Sequence, residues 1–162
     1  MCATYTKANL TTLEGSMGYY IEQTDSKFFI AHTDAEKALS AIKGIMHSKD
    51  KMRAGSWGPD GKTEHWYAWV NTDKVLQSQT LVDALESWRW KARTDSVGNV
   101  CGIEFMGEKS GQDELLFDAI APYVESDSYI VMRGEDGEVW RWYFEEGTCV
   151  EQAGRVSYQF AV

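Results

Sequence analysis

The sequence predicts an α+β domain with a mostly antiparallel sheet and about three helices, and three observations carry that expectation. Residues 129–133 and 139–144 are apolar-rich runs flanking Asp136-Gly137, the strongest short-range hairpin cue. Cap-like residues at Thr33, Thr80 and Ser110 each precede apolar residues three and four apart, the spacing of a helix with one buried face. The resulting order is strand, strand, helix, strand, helix, strand, helix and then two or three strands, which suits a sheet with helices packed against it.

At 162 residues and 18.4 kDa, with 43% hydrophobic residues, the chain has the size and composition of one folding unit with a real core. Residues 1–16 are polar without periodicity and are expected to form a flexible arm; residues 17–162 are expected to form the single domain. The first ten residues carry no signal-peptide pattern, and no apolar run approaches the ~20 residues that cross a bilayer. The expected location is therefore cytoplasmic, without membrane contact. Cys2, Cys101 and Cys149 are odd in number and widely spaced, as free thiols in a reducing compartment would be.

Along the chain, residues 19–22 and 27–31 read as a hairpin around Gln23-Thr24-Asp25-Ser26. Thr33-Asp34-Ala35-Glu36 fits a capping box, followed by a helix burying Ala35, Ala38, Leu39, Ile42, Ile45 and Met46. Residues 47–63 are dense in turn formers and read as a long loop, with Trp57 expected to anchor it to the core. Residues 64–71 read as a strand covered on both faces. Thr80 caps a second helix running to about residue 93, whose last turns carry Arg89, Lys91 and Arg93 as dipole partners. Residues 100–106 form a strand, and a third helix begins after Ser110 and ends near Pro122.

In the last hairpin, Asp136 and Gly137 as a two-residue loop set Arg133 opposite Trp140, Val131 opposite Trp142 and Tyr129 opposite Phe144. Both faces are then largely apolar, which makes this hairpin central. Val150 and residues 156–160 supply a further strand.

Motifs for catalysis are missing. The sequence contains no phosphate-binding glycine loop, no nucleophile elbow and no H-E-x-x-H, and His32, His47 and His65 are scattered. Glu135-Asp136-Gly137-Glu138 does not match the calcium-loop pattern. These observations point to a chain without metal, cofactor or catalytic residues. The aromatic–basic triplets Trp88-Arg89-Trp90 and Trp140-Arg141-Trp142 could stack on bases, but core burial is the stronger expectation for them.

Charge is the informative feature. The formal net charge is −9, and residues 108–151 hold twelve acidic against three basic side chains while the rest of the chain balances. That field opposes direct contact with nucleic acid. It points instead to a protein partner with a basic surface, met by Glu125, Asp127, Glu135, Asp136, Glu138, Glu145 and Glu146. The alternative is a small-molecule pocket lined by Trp57, Trp66 and Trp69, with the 47–63 loop as its lid.

The run Gly134-Glu135-Asp136-Gly137-Glu138-Val139-Trp140-Arg141-Trp142, followed by Phe144 and Gly147, resembles a signature of small uncharacterised proteins of bacterial and phage genomes. Residues 115–124 and 18–22 are similar to the same group, so the resemblance spans roughly 17–146. It implies a setting: a small acidic protein of a phage or mobile element that binds and blocks a host complex, an anti-defence inhibitor.

Overall fold

Alternating residues on either side of a tight turn build the centre of the fold. In the computed structural model, which describes residues 18–161, β6 (Ser128–Gly134) and β7 (Val139–Glu145) are the two inner strands of an antiparallel sheet. Its strand order is β1-β6-β7-β8, with β1 at Ile21–Lys27 and β8 at Thr148–Ala153. Two further antiparallel hairpins are β2 (Ala54–Trp57) with β3 (Thr63–Trp66), and β4 (Trp90–Thr94) with β5 (Val100–Phe105). Four α-helices complete the described residues: α1 (Ala35–Ile45), α2 (Thr72–Gln77), α3 (Leu81–Ser87) and α4 (Asp113–Ile120). The α+β, single-domain expectation holds. The arm expected over 1–16, and Cys2, lie outside the described residues.

The hairpin register differs by one residue from the expectation. Gly134 and Gly137 close a turn in which the Gly137 amide donates to the Gly134 carbonyl, and the Gly134 amide donates to Glu138. Gly137 takes φ +88, so the loop has three residues with glycine in the left-handed position. Ile130 therefore faces Trp142, Met132 faces Trp140, and Ser128 faces Phe144. A slip of one moves every side chain to the other face. The buried face is Ile130, Met132, Trp142 and Phe144, while Tyr129, Val131, Arg141 and Tyr143 stand half-buried on the outer one.

Residues 19–31 do not form a hairpin. Gln23 to Ser26 lie inside β1, which bulges between Gln23 and Asp25 against β6. The polar run serves an edge rather than a turn: the Gln23 amide donates to the Ile103 carbonyl (2.9 Å) and accepts from the Phe105 amide (2.7 Å). One side chain thus replaces a ladder peptide and clips β1 to β5, with Ile30 and Val100 exchanging backbone bonds farther along.

The helices cover the inner face. Ala38, Ile42 and Met46 of the α1 stripe are buried, as are Leu81, Ala84 and Leu85 on α3 and Leu116, Phe117 and Ile120 on α4. The capping box at Thr33 is not formed: His32–Asp34 make a turn of 3-10 helix and α1 starts after Asp34 without a side-chain cap bond. Thr80 does form one, its hydroxyl accepting from Asp83 and the Asp83 carboxylate from Thr80. Asn71 caps the unexpected helix α2, accepting from the Lys74 amide at 3.0 Å. Helix α4 ends at Ile120, followed by a 3-10 turn containing Pro122, close to the expected stop.

Helix α3 stops at Ser87 rather than near residue 93. Trp90 and Ala92 turn inward on β4 while Lys91 and Arg93 face out, so the three cations are not helix-dipole partners. Residues 47–63 contain β2 and part of β3 rather than only loop, and Trp57 is 87% exposed instead of anchoring the segment. The expected strand over 64–71 ends at Trp66 and is largely exposed, because among the described residues it pairs with β2 alone. Residues 156–160 form no strand, and Val156, Tyr158 and Phe160 are exposed.

Candidate functional site

The sheet register decides where the acidic side chains meet. At one end, the loop before β6 and the β7–β8 turn lie together: the Asp127 amide donates to the Phe144 carbonyl (2.9 Å) and the Glu146 amide to Ser126 Oγ (3.1 Å). This brings Glu125, Asp127, Glu145 and Glu146 onto one rim, all exposed. Glu135, Asp136 and Glu138 sit in the β6–β7 turn at the opposite end. Strands of this length separate the two groups by about 20 Å. The expected set of seven is therefore two clusters.

The two ends differ in what the carboxylates do. In the β6–β7 turn, Glu135 accepts from the Tyr20 amide (3.2 Å), and its own amide donates to the Tyr20 carbonyl. The Asp136 amide donates to the Tyr19 hydroxyl. Burial and a hydrogen bond to Glu138 push the Tyr19 phenol up to about 12 from its ordinary value near 10. These residues fasten the lead into β1. The raised value means that Tyr19 favours the fold fully below pH 10, and the contribution falls as pH rises through about 12. Absorbance titration should show a phenol ionising near pH 12 that Tyr19→Phe removes.

On the other rim, Asp127 accepts from the Tyr143 hydroxyl, a bond that raises the Tyr143 pKa, while Glu125, Glu145 and Glu146 extend into solvent. The ion pairs Lys37–Asp34, Lys62–Asp60, Arg89–Asp113 and Arg133–Glu22 use none of these four acids. Behind the rim, Arg141 lies against the Tyr143 ring (4.8 Å) and the Tyr129 ring (6.0 Å), and its Nε donates to Gln152.

The rim also holds two of the four non-glycine residues with positive φ, Asp127 at 65° and Glu146 at 49°. Aspartate tolerates this region, whereas glutamate there is uncommon. Glu146-Gly147 occupy the left-handed positions of a two-residue hairpin turn, where Asn-Gly is preferred. Glu146→Asn is expected to stabilise the chain by about 0.5–1 kcal/mol, read by urea unfolding.

The three tryptophans of the alternative pocket do not converge. Trp66 pairs with Ala54 at the base of the β2–β3 hairpin and Trp57 with Thr63 toward its tip, so their side chains point to opposite faces. Trp66 and Trp69 do share a shallow depression with His65 and Asp73. Trp69 has φ 67 and is 56% exposed, and Lys109 Nζ lies between its ring (5.9 Å) and that of Tyr20 (4.9 Å). With Trp57 turned away and the 47–63 segment in a hairpin, nothing in this geometry forms a lidded pocket.

Elsewhere, a groove of about 1120 Å3 between β1 and β5 carries Lys27, Lys91 and Arg93 among Glu22, Asp25 and Glu104, a mixed lining without a convergent reactive set. Among the described residues no group of three or more His, Cys, Asp or Glu side chains could hold a metal ion. Cys101 and Cys149 are free, and burial pushes the Cys149 thiol up to about 12. No described helix is long and apolar enough to cross a membrane.

The polar constellation that sequence reading misses is buried. Asp113, 2% exposed, accepts from Arg89 Nη2 (2.8 and 3.1 Å) and from the Trp90 indole (2.9 Å). Burial raises the Asp113 pKa and the Arg89 guanidinium lowers it in turn. Arg89 also donates to the Lys109 carbonyl and stacks on Phe105. It holds φ 72, a position usually given to glycine after a helix, with its guanidinium on Asp113. A Cβ on Gly111 would lie 2.4 Å from Arg89 Nη2, so that glycine makes room for the pair. Being enclosed, this cluster fastens the 107–113 loop to β4 rather than binding a partner. No protein-family model, curated protein or solved structure matches the chain.

Proposed function

We propose that the chain is a non-enzymatic interaction module whose acidic rim, Glu125, Asp127, Glu145 and Glu146, meets a basic surface on a protein partner. One observation carries the reading: four exposed carboxylates converge on one end of the sheet, and none of them takes part in the four ion pairs named above. Unneutralised carboxylates on a rim steer a basic partner at long range and set its orientation more than its ultimate affinity. The opposite cluster, Glu135, Asp136 and Glu138, adds to the field but is committed to Tyr19 and Tyr20.

The resemblance to small bacterial and phage proteins extends the reading to an anti-defence inhibitor. Its target is then a host complex that handles nucleic acid, and the rim competes for the surface that phosphates would occupy.

Affinity capture from bacterial lysate followed by mass spectrometry tests the proposal. Basic, nucleic-acid-handling proteins should be enriched at low salt and lost as ionic strength rises. Capture that enriches no basic protein, or that ignores salt, removes the reading.

A further inference from the structure

The C-terminal segment presents a contradiction between pattern and environment. Val156, Tyr158 and Phe160 alternate with Ser157 and Gln159, the period of a strand with one apolar face. Yet they are 55%, 95% and 100% exposed, and no strand among the described residues pairs with them. Three apolar side chains on a strand-patterned segment in open solvent lack the neighbour that the pattern is built for.

The neighbour cannot be the segment's own sheet edge. Folding back onto β8 would require a reversal soon after Ala153, but the Gly154 amide continues the ladder by donating to the Val139 carbonyl at 2.7 Å. Gly154 is also absent from the positive-φ glycines, Gly61, Gly98, Gly137 and Gly147. Residues 154–161 contain no turn, so the segment does not double back onto β8.

Meanwhile β8 is the last strand of its sheet, and its outer edge has no partner strand among the described residues. In the antiparallel ladder that bonds Gly154 to Val139, residues of even number face β7. The peptide groups of Cys149, Glu151 and Ala153 therefore point away from the sheet. Val150, 47% exposed, stands on the outer face of this strand opposite Tyr143. A six-residue edge of this kind is a template for strand addition.

We infer that two copies of this chain pair through these elements, each C-terminal segment adding as a strand to the free edge of β8 in the other copy. A twofold axis beside Gly154 satisfies both edges at once, since donor and acceptor are consecutive in one chain and the contact is self-complementary. In that register Tyr158 of one copy lies opposite Val150 of the other, with Val156 opposite Gln152 and Phe160 opposite Thr148. All three apolar residues then share the outer face with Tyr143 and Arg141, whereas a shift by one residue would turn them to the other face. A second copy is favoured over a foreign strand because the same chain supplies a donor of matching length and an acceptor of matching parity.

Analytical ultracentrifugation of the full chain tests this. An interface this small places dissociation in the micromolar range, so at about 100 µM the mass should be about twice 18.4 kDa. Truncation after Ala153, the double substitution Tyr158→Ser with Phe160→Ser, and Val150→Lys on the acceptor strand should each return it to the mass of a single chain of that variant. These sites lie outside the core, and unchanged melting of each variant measured at monomeric dilution shows that the fold is intact. A native chain that stays monomeric at about 100 µM overturns the inference, including the case in which its C-terminal segment pairs with a foreign strand. A dimer that survives all three changes overturns it as well.

Discussion

Asp113→Ala is expected to destabilise the chain by about 3–5 kcal/mol, the cost of leaving one member of a buried ion pair uncompensated. The carboxylate is enclosed and holds both the Arg89 guanidinium and the Trp90 indole. Without it the 13% exposed guanidinium and a fully buried indole N–H lose their acceptor together. Arg89 would also keep its left-handed backbone with no ion pair to offset it. Urea unfolding with an unchanged m-value measures the loss, and a change below about 1 kcal/mol would contradict the role assigned to the pair. The double variant Arg89→Met, Asp113→Leu should cost much less than Asp113→Ala alone, because no charge is then stranded.

Phe117→Ala should cost about 3–5 kcal/mol through the cavity it leaves at the junction of helix and sheet. Phe117 is fully buried, and its ring lies 5.0 Å from Trp90, 4.7 Å from Trp142 and 5.9 Å from Phe144. One ring on α4 thus touches both β4 and β7, and these large, rigid neighbours collapse poorly into the space. For a chain of this length the loss corresponds to a melting point lower by about 10 °C or more. Trp57→Ala is the internal control: a larger aromatic is removed, but at 87% exposure its loss should change stability by no more than about 0.5 kcal/mol. A large effect of Trp57→Ala would show that the β2–β3 hairpin is held to the body.

Local signals made much of the fold legible. Asp136-Gly137 marked the central hairpin, Thr80 marked a real cap, and the spacing of Ala38, Ile42 and Met46 marked a real buried stripe. What stayed hidden depends on contacts distant in sequence. The helix pattern through Leu85, Trp88 and Ala92 competes with the strand alternation of Trp90 and Ala92, and the partner of Arg89 lies 24 positions away on Asp113. Gln23 looks like a turn former until β5 lies beside it. The hairpin register turned on whether Gly137 closes a two-residue or a three-residue loop, a choice that reverses both faces.

The acidic site was legible as composition and hidden as geometry. The excess of charge over 108–151 is plain in the sequence, but its division into two ends follows from the strand lengths and the β7–β8 turn. The positive φ of Asp127 and Glu146 has no sequence signal beyond Glu146 preceding Gly147. Trp66 and Trp69 come near each other as the aromatic run suggests, whereas the pleat of the β2–β3 hairpin turns Trp57 away.

In the proposed function the Glu125–Glu146 rim, rather than acidity in general, meets the partner. Parallel captures with two charge-matched variants test it most directly: Glu125→Gln, Glu145→Gln, Glu146→Gln on the rim, and Glu135→Gln, Asp136→Asn, Glu138→Gln at the opposite turn. Each removes three carboxylates, so the net charge is the same. The rim variant is expected to lose the basic partners that the native chain retrieves, and the turn variant to keep them; equal retention by both, or loss only from the turn variant, would contradict the account.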